Sequence, residues 1–220
     1  MRNPIKNLLA GAGLLTVTVA QAASPVDYQI TITNLTVGES FTPIMAASHS
    51  ALDNAFFTLG QPASDELADM AEGGDTAPLQ GLLEASAHHV TAVVNAEGLT
   101  DPGQSVTLTL SALPGRDVIS LAGMLIPTND GFMALQNLPL PRGAEVVSRY
   151  AVVYDAGSEP NDELCISIPG PVCGGEGGSP GVSGEGYVHI HSGIHGIGDL
   201  SPAGFDWRNP AALIEITRVP

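Results

Sequence analysis

Two polar loops concentrate oxygen ligands in this chain. In MLIPTNDGF, residues 124–132, an apolar run ends in a turn that presents Asn129 and Asp130. In YDAGSEPNDE, residues 154–163, a second run ends in a segment carrying Asp155, Glu159, Asp162 and Glu163. A hard dication such as Ca2+ takes roughly six to eight oxygen ligands from carboxylates, carbonyls and water, and acidic turns deliver them. A shared cation requires the two loops to meet at one rim of the fold. Neither loop matches an EF-hand, so from spacing alone solvated turns are the simpler reading.

The histidines form a second constellation. Strand alternation puts Tyr187, His189 and His191 on one face, with Val188 and Ile190 on the other. Imidazoles two residues apart can chelate Zn2+ or Cu2+, and His195 or His49 would complete the set. A hydrogen-bonded polar face against a loop is the simpler alternative. The segment GYVHIHSGIHGIGD, residues 186–199, resembles the copper-binding strand of Cu/Zn superoxide dismutase. That enzyme needs further histidines downstream, and none follows His195, which argues against a dismutase. The chain has no H-E-x-x-H and no phosphate loop, and adjacency on a strand sends Ser192 and His191 to opposite faces, so it reads as non-catalytic.

The elements that must position these residues are mostly short strands. Tyr28 to Leu35 alternates, with Ile30 and Ile32 on one face, and Ser105 to Leu113 repeats the pattern with Val106, Leu108 and Leu110. Val118 to Ile126 is apolar almost throughout, as in a central strand covered on both sides. Further strands are expected at Phe132–Leu135, Val146–Tyr154, Gly186–His191 and Ala211–Arg218. Residues 37–51, with Pro43 and turn formers, read as a loop. Ser64 caps a short acidic helix, Asp65–Ala71, ended by Gly73 and Gly74. A second helix is expected from Pro78 to His88, with Leu79, Leu82 and Leu83 as its apolar stripe. The Gly-rich stretch 169–186 reads as a long mobile loop.

Composition sets the compartment. A basic start, an apolar run from Leu8 to Val19 and the small residues Ala20-Gln21-Ala22 read as a secretory signal peptide over residues 1–22, leaving one domain over 23–220. Without Arg2 and Lys6, five basic residues face 23 acidic ones, a net charge of about −18. That balance disfavours nucleic acid, which demands a basic patch. No second apolar run is long enough for a membrane span. Export to the periplasm or the medium also makes one disulfide between Cys165 and Cys173 the simplest fate of the two cysteines.

The ordered segments TNL (33–35), GESFTPIMAASH (38–49), GQPAS (60–64), AEGGDTAPL (71–79), MLIPTNDGF (124–132), YDAGSE (154–159) and GYVHIHSGIHG (186–196) together resemble the spondin N-terminal domain family, in its bacterial single-domain form. The resemblance implies an all-β, antiparallel, C2-like β-sandwich with one or two short helical insertions. It also implies a calcium ion held by Asp130, Asp155 and Glu159. The last stands where the animal pattern has Asp, and keeps the charge with one more methylene. The implied role is a binding or adhesion module whose partner is an extracellular protein or glycan.

Overall fold

The computed structural model describes residues 24–51, 56–86, 89–178 and 184–220. Residues 1–22, expected to be a signal peptide, therefore lie outside the described residues, as do His88 and part of the Gly-rich stretch. Ten strands run β1 Val26–Asn34, β2 Ser40–Phe41, β3 Met45–Ser50, β4 Val90–Asn95, β5 Ser105–Ala112, β6 Asp117–Ile126, β7 Gly131–Pro139, β8 Val147–Asp155, β9 His189–Ile190 and β10 Ala212–Arg218. The helices are α1 Asp65–Gly73, α2 Ala77–Ala85 and the single-turn α3 Pro202–Phe205. The fold is all-β and antiparallel, as the family resemblance implies.

Hydrogen bonding follows the order β4-β3-β6-β7-β8-β10-β1-β5, with β2 on β6 and β9 on β8. The sheet folds over until its two ends meet. Ser48 Oγ on β3 donates to the Ser111 carbonyl on β5 at 2.7 Å. Inside this sandwich-like wrap, Tyr28, Ile30 and Ile32 of β1 pack with Leu108 and Leu110 of β5, Ile119, Leu121 and Leu125 of β6, and Ile214 and Ile216 of β10. A second core lies on the outer face, where Leu67 and Met70 of α1 and Leu79 and Leu83 of α2 cover Met45, Ala122, Phe132 and Ala134. Central β6 is therefore buried along its whole length, which is why it reads as apolar without alternation.

The helix signals operate as expected. Ser64 accepts a hydrogen bond from the Leu67 amide at 3.2 Å, and Gly74 closes α1 in the left-handed conformation with φ 70°. Helix α2 ends at Ala85, short of the expected His88.

Two expectations are corrected. Residues 37–51 are not a loop: β3 there is buried on both faces, between β4 and β6. Its small residues, Met-Ala-Ala-Ser-His-Ser, carry neither alternation nor strong strand propensity, so only its neighbours make it a strand. Strand β4, a further element that the sequence reading did not include, is rich in β-branched Val and Thr but half-buried throughout, so it shows no alternation of burial. The expected strand over 186–191 pairs only at His189 and Ile190, where Gly-rich chain arrives at the edge of β8.

Candidate functional site at the β6–β7 and β8 rim

Both acidic loops lie at the same end of the sheet. Strand register sets Gly131 opposite Asp155, and the Ala156 amide donates to the Asp130 carbonyl at 3.2 Å. Behind them, Phe132 and Tyr154 turn to the helical layer, where Phe57 packs on both rings at 5.3 and 4.8 Å. Period-two alternation then turns Asp155 to the opposite, inner side at the last residue of β8.

Asp130 is fully buried, and its Oδ2 accepts the Ser158 amide at 2.8 Å, the Ser158 hydroxyl at 3.2 Å and the Glu159 amide at 3.0 Å. Its Oδ1 is buried and has no hydrogen-bond partner. Burial, and then the negative charge of Asp155, push the Asp130 carboxyl up to about 7. Asp155 is also fully buried; its Oδ1 accepts the Gly157 amide at 2.8 Å and its Oδ2 the Asn161 side-chain amide at 2.6 Å. Burial raises its carboxyl as well, against those two hydrogen bonds. Glu159 is buried beside them. Asp130, Asp155 and Glu159 thus lie at one rim.

Two other acids of the second loop are engaged elsewhere. Asp162 accepts from the Asn129 side chain at 3.1 Å and from the Leu164 amide at 3.0 Å. The buried Glu163 carboxylate holds the amides of His195, Gly196 and Ile197, at 2.5, 2.7 and 2.9 Å, while its own amide donates to Asn129 Oδ1. Asn129 and Glu163 therefore position the two loops against the 195–197 turn.

The histidines divide. His189 Nε2 lies 3.4 Å from Asp155 Oδ1 and 3.8 Å from Glu185 Oε2. Desolvation opposes its charged form, but the Ile190 carbonyl and the Asp155, Glu185 and Asp130 carboxylates outweigh it and raise the imidazole above its ordinary value. His191 Nε2 is 3.9 Å from Asp155 Oδ2, and its ring packs on Trp207 at 4.9 Å. Burial, with the neighbouring His189 and His195, pushes it down to about 4. Its Nδ1 accepts the Gly193 amide at 3.0 Å, so the neutral ring carries its proton on Nε2 and has no lone pair there for a metal. His49 pairs with Val118 at the far end of β6, about 20 Å of strand from the rim, and bonds Ser120 Oγ at 2.7 Å. His189, His191 and His49 do not form one metal site.

Two residues of the rim escape sequence reasoning: Asn161, which bonds both Asp155 and Glu185, and Glu185 itself. Glu185 sits in the Gly-rich stretch and reaches the rim because the Gly186 amide donates to the Gly157 carbonyl at 2.8 Å. No local pattern marks that contact.

Such a protein is an all-β, sandwich-like domain with two acidic loops gathered at one buried rim. A Cys165–Cys173 disulfide is present, and no helix among the described residues is long and apolar enough to cross a membrane. The chain belongs to the spondin N-terminal domain family, whose Spondin_N model matches residues 16–160. The matched stretch includes Asp130, Asp155 and Glu159 and ends before Glu185 and His189. No curated protein matches the chain.

Proposed function

We propose that this protein is an exported, non-catalytic binding or adhesion module whose acidic rim is held in one conformation by a calcium ion. Asp130, Asp155 and Glu159 would supply carboxylate oxygens, and an extracellular protein or glycan would dock on the loops so ordered. The observation that carries this is Asp130 Oδ1, buried without a hydrogen-bond partner in a carboxyl that Asp155 and burial disfavour as an anion. Two buried carboxylates that resist charge together need either a proton or a cation, and the oxygen-rich donor set suits a hard one. A cation bound only by the folded state stabilises it by about 2.7 kcal/mol at a free concentration of about 100 times its dissociation constant. For a domain of this size that corresponds to roughly 5–10 °C in melting temperature.

Thermal melts in calcium and in chelator at equal ionic strength test the assignment. The calcium sample should melt several degrees higher, and Asp155→Asn should abolish the difference. Coincident wild-type melts would remove calcium from the function.

A further inference from the structure

The ring of His189 has a defined tautomer. Its Nδ1 lies 3.0 Å from the Ile190 carbonyl, which can only accept, so Nδ1 carries the hydrogen. In the neutral ring Nε2 then keeps its lone pair; it lies 3.4 Å from Asp155 Oδ1 and 3.8 Å from Glu185 Oε2 and is buried without a hydrogen-bond partner. Three electron-pair donors thus face one another.

The carboxylates are held for the same focus from behind. Asn161 donates from its side-chain amide to Asp155 Oδ2 at 2.6 Å and to Glu185 Oε1 at 3.3 Å, securing the oxygens that point away from the imidazole. Tyr187 packs beside the His189 ring at 5.3 Å. A backbone carbonyl on the distal nitrogen of a histidine and hydrogen bonds on the ligand carboxylates are the usual outer-shell supports of a metal centre.

From these contacts we infer that Asp155, Glu185 and His189 bind a transition-metal dication of the zinc class. The three ligand atoms lie within 4.8 Å of one another. Tetrahedral zinc, with bonds of about 2.0–2.2 Å, separates its ligand atoms by about 3.4 Å. The His189–Asp155 spacing of 3.4 Å already meets that requirement. The Glu185 side chain, 38 % exposed, has room to close from 3.8 Å. A nitrogen ligand selects against calcium, which takes oxygens. Three protein ligands leave the fourth position to water or to a side chain of a partner. Asp155 is common to this site and to the proposed calcium site, but neither Asp130 nor Glu159 is one of the zinc ligands.

The test is calorimetric titration of the chelator-treated, untagged full-length protein with zinc chloride, in wild type, His189→Gln, Glu185→Gln and Asp130→Asn. Wild type should take up one equivalent. His189→Gln and the surface variant Glu185→Gln should each lose affinity by about tenfold or more. Asp130→Asn, which removes a proposed calcium ligand but none of the three zinc ligands, should keep its zinc affinity. Absence of zinc binding in wild type, or unchanged affinity in either ligand variant, would overturn the site. Joint loss of zinc and calcium binding in Asp130→Asn would also overturn it, by showing one oxygen site that accepts both metals. A wild type that binds zinc but shows no calcium response refutes the calcium assignment alone.

Discussion

Asp130 divides its carboxylate between two roles. One oxygen gathers the Ser158 and Glu159 amides and so fixes the second loop, while the other is buried without a donor. Its carboxyl is pushed up to about 7, against about 3.9 in an unfolded chain. Between those values the cation-free folded state binds more protons at this residue than the unfolded state, so raising the pH through the window lowers stability. His191 acts in the opposite sense: pushed down to about 4, it lets stability rise with pH until the unfolded imidazole, near 6.5, has lost its proton. Comparison with Asp130→Asn cancels the His191 contribution, which both proteins share. In chelator, wild type should therefore lose melting temperature relative to Asp130→Asn from about pH 4 to about pH 7, and added calcium should recover it at pH 7. Parallel melting curves across that range would show that Asp130 gains no proton in the fold.

At the scale of elements, the rim depends on backbone approach as much as on carboxylates. Gly157 has φ 68°, and a Cβ there would collide with the backbone of Tyr187, the segment that carries His189 to β8. Gly157→Ala should destabilise by about 1–3 kcal/mol and also blunt the calcium response, because the loop presenting Asp155 and Glu159 must shift. Ser64→Ala separates stability from the site. Loss of the α1 cap should cost about 1 kcal/mol in denaturant unfolding while the calcium-dependent shift stays intact. An unchanged calcium response in Gly157→Ala would show that the loop tolerates rearrangement.

Over the whole molecule, a sheet whose ends meet brings chain-distant segments to one rim. The turn at 127–130, the loop from 155 to 163 and the stretch arriving at 185–191 are joined by backbone pairing of Gly131 with Asp155 and of Asp155 with His189. The Cys165–Cys173 bridge closes a small loop directly after the second acidic segment. Replacing both cysteines with serine should lower stability by about 2–3 kcal/mol through the freer unfolded chain, as read by denaturant unfolding. Since Glu163, just before the bridge, clasps the 195–197 turn, the rim should loosen first, seen as faster amide exchange at Gly196 and Ile197.

Local chemistry made much of this legible in the residues alone. Alternation located β1 and β5, uninterrupted hydrophobicity located β6, and Ser64 and Gly74 bounded α1, because each depends on neighbours a few positions away. The same holds for the acidic loops and the paired cysteines. Strand β3 stayed hidden, since pairing to flanking strands rather than its own side chains makes it a strand. The composition of the rim was equally out of reach. Asp155 meets Asp130 and Glu185 through sheet register and one backbone hydrogen bond, whereas His49 is carried to the far end of β6. Residue types declare what a site can ligate, but the separation along a folded sheet settles which of them stand within a bond length of one ion.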